Sequence, residues 1–337
     1  MKFIINYKDL IVAFVIATIL LIPYEWYFKT VEHWPAAYDL ESLDMWADWR
    51  AEVDNLDSED VIILGSSRGH FDININLWDS ITGKKPIMLA YPGSSPYHTV
   101  EDIIEKSSFN GLLVIGTSPG LFYTMKGSWG ANRGKALVDR YYNRTYAQQF
   151  SNMVYNLVDP LFSYTQGSDL NLESLIGRIP FENRDSIDGP ANWPAMVAMD
   201  KYRNIRMIPQ METDSVFQKR QTDIWFNPDP KNRFVDSIDV VIGHYVNLVK
   251  KFKANGGQVA FIRPPVTDYY LDTETRLFPR AKYWDRLILE SGCPGYHFQD
   301  YNESKDMIPP EWSHLNRRDA DIYTKTIINL LKKDQLQ

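Results

Sequence analysis

The chain has 337 residues and carries 36 Lys+Arg against 43 Asp+Glu, a formal net charge of −7 that argues against a broad phosphate-binding surface and against nucleic acid as the partner. Its 44% hydrophobic content is too high for disorder, and its mean hydropathy of −0.34 is too low for a multi-span membrane protein. One cysteine, Cys293, excludes an intrachain disulfide and a Cys-based zinc cluster; its expected role is packing.

At the amino terminus, Leu10 to Ile22 run without a charge and lead into the aromatic belt Tyr24, Trp26, Tyr27 and Phe28. Phe3 to Ile5 and the belt extend this run to bilayer length, so residues 1–30 read as one membrane anchor. A cleaved signal peptide is the competing reading, with Pro35-Ala36-Ala37 as a late and poor cleavage site. Lys2 and Lys8 precede the span, whereas Lys29 is offset by Glu25 and Glu32. The positive-inside rule then places the N-terminus in the cytoplasm and the bulk of the chain outside it, on the periplasmic side of an inner membrane. Residues 31–60, acidic and holding Trp34, Trp46 and Trp49, read as a stalk with a short helix near the membrane.

From residue 61 onward the pattern changes. Val61 to Leu64 is a continuous apolar run ending in Gly65, as a buried parallel strand would, and Pro86 to Ala90, Leu112 to Ile115 and Val259 to Ile262 repeat the form. Between them lie helical segments. The clearest spans Ser237 to Asn255, with Ser237 as its cap and Gly256-Gly257 as its stop; another follows Asn316. Strand–helix alternation implies an α/β domain over 61–337, with a doubly wound parallel sheet and helices on both faces. Residues 120–235 interrupt it and, being too long for a structureless loop, read as an inserted, mostly helical cap.

In such sheets ligands bind beyond the carboxyl ends of the strands, so the residues just after each run carry the information. These are Gly65-Ser66-Ser67-Arg68-Gly69, Ala90-Tyr91-Pro92-Gly93-Ser94-Ser95 and Gly116-Thr117-Ser118-Pro119-Gly120. A fourth block, Pro309-Pro310-Glu311-Trp312-Ser313-His314-Leu315-Asn316, precedes the last helix.

In order and context these blocks resemble the SGNH (GDSL-like) hydrolase family, over roughly residues 60 to 333 without much of the insertion. The resemblance implies a flavodoxin-like fold. It maps the nucleophile onto Ser67, the base onto His314, the orienting acid onto Glu311, and an oxyanion donor onto Gly93. Two positions depart from the family pattern: Ser118 stands where the third block has Asn, and Glu311 where the fifth has Asp. The Gly-Ser-Ser start and the lost Asn look more like the membrane-anchored branch that holds the alginate and peptidoglycan O-acetylation proteins and the teichoic-acid D-alanylation protein. That branch acts on cell-envelope polymers, commonly beside a multi-span O-acyltransferase, and implies a glycan substrate and no cofactor.

The chemistry suits those roles. A serine hydroxyl becomes a useful nucleophile when an imidazole takes its proton and a carboxylate fixes that imidazole. The three-residue spacing of Glu311 and His314 lets both project from one turn. His70, three residues from Ser67, is the rival base. Arg68 and Arg263 stand at strand ends, where they either bind an anionic substrate or form surface ion pairs. Neither a His-Glu-x-x-His helix nor a Ca²⁺ loop occurs, so no metal is expected. The alternative to an enzyme is a non-catalytic envelope protein that keeps the fold and holds a partner. On either reading Ser67 and His314 are expected on a cleft surface, where truncation would cost little stability.

Overall fold

A computed structural model describes residues 6–124, 126–166, 170, 171, 174, 176, 193–227 and 238–336. Lys2, Phe3 to Ile5, the capping role of Ser237, and parts of the expected cap, 177–192 and 228–235 among them, lie outside the described residues.

The first helix, α1 (Tyr7–Trp26), starts at Asn6, whose side chain accepts from Lys8 N–H while Asp9 completes a capping box. It runs on through a π-helical turn, Tyr27–Val31, and has no buried residue. The combined 25 residues are long and apolar enough to cross a membrane. Helix α2 (Leu43–Glu52) follows. Although it falls in the expected stalk, it is built into the core: Trp46 is fully buried and its indole N–H donates to Leu89 O at 2.9 Å. Arg50, also buried, pairs with Asp102 at 2.6 Å.

The sheet is formed by β1 (Val61–Leu64), β2 (Ile87–Met88), β3 (Leu112–Gly116), β6 (Gln258–Arg263) and β7 (Gly295–His297) in the order β2-β1-β3-β6-β7, every pairing parallel. Sequential connection on one side of β1 and reversal on the other put a switch point between β1 and β3. Alternate residues supply two cores. Ile62, Leu64, Leu113 and Ile115 pack with α2, α5 (Tyr97–Lys106) and the helix Ile238–Ala254. Ile63, Val114 and Ile262 pack with α4 (Ile75–Thr82) and the last helix, Arg317–Lys333. Helices thus cover both faces, which is why β1, β3 and the centre of β6 are continuously apolar.

The insertion leaves the sheet after β3. Its described part holds α6 (Pro119–Phe122), α7 (Trp129–Asn143), α8 (Tyr146–Val158), an antiparallel hairpin of β4 (Val197–Met199) and β5 (Ile205–Met207), then α9 (Pro209–Thr213) and α10 (Ser215–Trp225). Among its described residues it is therefore mostly helical, with one hairpin. Arg203 in the hairpin turn is fully buried and donates from Nε to Met88 O at 3.0 Å and from Nη2 to Ala90 O at 2.8 Å, pinning the hairpin to the end of β2. The remaining helices are α11 (Ile238–Ala254), α12 (Asp268–Leu277), α13 (Trp284–Ser291) and α14 (Arg317–Lys333). Asn316 caps α14 by accepting from Asp319 N–H at 2.9 Å.

Three glycines let α3 (Ser67–Phe71) rest directly on the sheet. Gly65 has φ +142°, and a Cβ there would stand 2.9 Å from Gly116 O; a Cβ on Gly116 would stand 3.0 Å from Gly69 Cα. Gly116→Ala should therefore force α3 off β3 and cost about 1–3 kcal/mol. Gly120→Ala, where a Cβ meets nothing within 4 Å, should leave stability unchanged. Denaturation midpoints of the two variants check this; a Gly116→Ala midpoint equal to that of the wild type would contradict the close packing.

Candidate active site

The carboxyl end of β1 turns through Gly65 and Ser66 into α3, whose first residue is Ser67, partly open to solvent. Residues four apart share a helix face, so Ser67 and Phe71 point the same way. Phe71 packs on the ring of His314, with centroids 4.3 Å apart and planes at 31°. Phe71, one helical turn after Ser67, is thus the residue of α3 that meets the His314 ring. Two further bonds fix that docking: Arg68 Nε donates to Ser313 Oγ at 3.1 Å, and Leu315 N–H donates to Asp72 Oδ1 at 2.9 Å.

The turn before α14 is folded around one carboxylate. Glu311 Oε1 accepts the His314 backbone N–H at 2.5 Å and lies 2.9 Å from His314 Nδ1, while Oε2 accepts the indole N–H of Trp225 at 2.7 Å. Closing so tight a turn puts Trp312 at φ +75°, a strained conformation for a side chain of its size. A carboxylate surrounded by N–H groups acts as acceptor, so Nδ1 carries a proton toward Glu311. His314 Nε2 is buried and has no hydrogen-bond partner among the described residues. No hydrogen bond joins it to Ser67 Oγ.

His314 is only 1% exposed, which corrects the expectation that it stands on a cleft surface. Held between Phe71 and the Glu311 turn, its ring contributes to packing, and His314→Ala would leave a cavity.

Arg68 and Arg263 are not surface ion pairs. Both are buried and both bond the carboxylate of Glu274 on α12, Arg68 at 2.8 Å. Burial holds the Arg263 guanidinium below its usual range despite Glu274. Arg263 also lines a cavity of about 130 Å³, shared with Thr117, Tyr123 and His297, at the carboxyl ends of β3, β6 and β7. Burial, reinforced by Arg263 and Arg280, pushes His297 down to about 3, so its imidazole is neutral.

Of the remaining candidates, Ser118 accepts a hydrogen bond from Ser66 Oγ at 2.6 Å, which ties its hydroxyl to the neighbour of Ser67. Gly93, at φ +66°, lies under Trp129, 3.0 Å from where its Cβ would be. Its loop starts beside the Ser67 turn, because Tyr91 N–H donates to Gly65 O at 3.1 Å. His70 is fully buried, and its Nε2 lies 2.8 Å from Arg203 O. Burial and the Arg203 charge hold it well below the ordinary histidine range, so it serves as a neutral strut for the hairpin.

Phe71, Asp72, Trp225 and Glu274 belong to this site and carry no signal in the four blocks. Phe71 alone could be found from spacing, as the residue one helical turn after Ser67. Trp225 and Glu274 reach the site from elements whose placement depends on the tertiary fold.

No family model matches this chain, and no curated protein matches it. The geometry and the block pattern therefore carry the functional reading.

Asp72 supplies a pH test. Burial raises its carboxyl well above the usual range; the Leu315 N–H and Arg68 oppose the shift and Glu311 adds to it. An acid whose folded-state pKa is raised contributes stability that is complete below about pH 4 and is lost as pH rises through the folded value. Asp72→Asn keeps an oxygen for Leu315 N–H and cannot ionise. Its thermal midpoint should match that of the wild type near pH 4 and exceed it increasingly as pH rises. Midpoints that stay parallel across that range would contradict the assignment.

Proposed function

We propose that the chain is a membrane-anchored serine O-acyltransferase or esterase of the SGNH type, acting outside the cytoplasm on a cell-envelope glycan. The observation that carries this reading is the buried His314, bonded through Nδ1 to Glu311 and unpartnered at Nε2, against the helix that opens with Ser67. His70 Nδ1 and His244 Nε2 are buried without partners as well, and what sets His314 apart is the carboxylate on its other nitrogen, the arrangement of a base that waits for the nucleophile's proton. The strand order, which is also that of flavodoxin-like folds, supports the same reading, as does the position of the site at the switch point.

On this reading Ser67 Oγ attacks an acyl carbonyl as its proton passes to His314 Nε2. Glu311 holds the ring and stabilises its positive charge. The backbone N–H groups of Ser67 and Gly93 face the developing oxyanion, an effect worth about 3 kcal/mol per donor in comparable sites. The proton on His314 then goes to the leaving oxygen. Acyl-Ser67 next passes its group to a sugar hydroxyl or to water, with His314 taking the acceptor's proton. Arg263, which lines the cavity at the carboxyl ends of β3, β6 and β7, is the side chain this reading assigns to substrate contact. The helix α1 serves as the anchor, and a multi-span O-acyltransferase fits as the source of acyl groups.

The test is hydrolysis of an activated acetyl ester together with labelling by a fluorophosphonate. Ser67→Ala and His314→Gln should each lower turnover by several orders of magnitude, with the double variant little worse than either. Glu311→Gln should cost less, because the base is still present. Turnover or labelling that survives Ser67→Ala in a folded protein would refute the nucleophile, and a folded wild type that neither turns over nor labels would favour a non-catalytic envelope protein, a reading that the turning of Ser118 toward Ser66 also fits.

A further inference from the structure

We infer that α8 lies in the surface of the lipid bilayer with its apolar face in the headgroup and acyl boundary, so that the chain meets the membrane at a second place besides α1. The inference rests on α1 being a spanning helix.

The amphipathicity of α8 is inverted relative to that of a helix in a soluble domain. Its polar side faces the protein: Asn152 is buried and donates to Asp48 Oδ2 at 2.6 Å, and Arg144, just before the helix, pairs with the same carboxylate. Its apolar side faces outward. Tyr146, Phe150, Met153, Val154 and Leu157 are 90%, 64%, 53%, 42% and 66% exposed. Their spacing of i, i+4, i+7, i+8 and i+11 puts all five on one stripe. Isolated exposed apolar residues are ordinary, whereas a continuous stripe marks a contact surface.

The path of the chain after α8 identifies the occupant. Leu161, 59% exposed, extends the stripe, and its carbonyl accepts a hydrogen bond from Lys29 Nζ. Glu25 accepts the backbone N–H groups of Ser163 at 2.9 Å and Tyr164 at 3.0 Å, and the Tyr24 hydroxyl donates to Leu170 O. Tyr24, Glu25 and Lys29 stand within or directly beside the aromatic belt that runs from the end of α1 into the π-helical turn, the level at which a spanning helix leaves hydrocarbon for headgroups. The end of α8 is therefore tied to the depth of the bilayer surface. A helix about 20 Å long, apolar on its outer side and fixed at that depth, meets lipid. A face so placed needs no protein partner to be covered.

Spin-label accessibility in the full-length protein, reconstituted alone in phosphatidylcholine–phosphatidylglycerol liposomes, tests the inference. Labels go singly on Phe150→Cys, Leu157→Cys, Ile16→Cys in α1 and Glu59→Cys, all with Cys293→Ala. Labels at 150 and 157 should be several-fold more accessible to oxygen than to a water-soluble nickel chelate, as at 16, with the opposite order at 59. Nickel-accessible labels at 150 and 157 beside a lipid-like label at 16 would overturn the interfacial helix and leave the anchor standing. A nickel-accessible label at 16 would overturn the anchor itself. Labels at 150 and 157 closed to both reagents would show a second copy of the chain on this face and also overturn the inference.

Discussion

A carboxylate with no exposure to solvent must be bonded on both oxygens, and Glu311 meets that demand with three N–H groups from two distant parts of the chain. Its bonds to the His314 backbone and ring shape the turn before α14 and choose the ring's tautomer. The bond from Trp225 brings the insertion onto the same point. Removing the acid would leave three buried donors without an acceptor, at roughly 1–3 kcal/mol each. The strain at Trp312 is held by this arrangement, and Thr267 N–H, donating to Trp312 O at 3.0 Å, secures the turn from outside.

The charges around this acid follow the same logic. Glu274 is shared by two buried guanidiniums, one from the helix that bears Ser67 and one from the end of β6. That bridge, with the Arg68 bond to Ser313, links α3, β6, α12 and the His314 turn at the carboxyl ends of the strands. Buried ion pairs add little net stability but are costly to break singly. Their effect here is to fix positions. The helix that bears Ser67 and the turn that bears His314 are held by separate contacts of Phe71, Arg68 and Asp72, so their relative placement does not depend on a bond between Ser67 and His314.

Much of this was open to inspection in the amino-acid pattern. Strands buried on both faces appear as continuous apolar runs, which is why β1, β3 and β6 are legible almost to the residue. The short strand Gly295–His297 is not, since only its central Tyr296 is apolar. Likewise the hairpin of β4 and β5 is six residues in two strands, inside a segment with no alternation long enough to read. At the site, the Glu311–His314 spacing is a local signal and the pair forms. Whether an arginine at a strand end is buried depends on a carboxylate more than ten residues away at the least, as Glu274 is from Arg263, and that is decided by packing. The core role of Trp46 and Arg50 was hidden for the same reason: an acidic stretch between the apolar N-terminal helix and the first strand gives no periodic cue that one helix within it will be buried.

The central claim is that Ser67, His314 and Glu311 act as one unit, and the structure of the fluorophosphonate adduct tests it most directly. The account predicts phosphorus bonded to Ser67 Oγ, His314 Nε2 within about 3.2 Å of the adduct's oxygens, and Nδ1 still on Glu311. An adduct formed on another residue, or one on Ser67 with the His314 ring turned away, would contradict it.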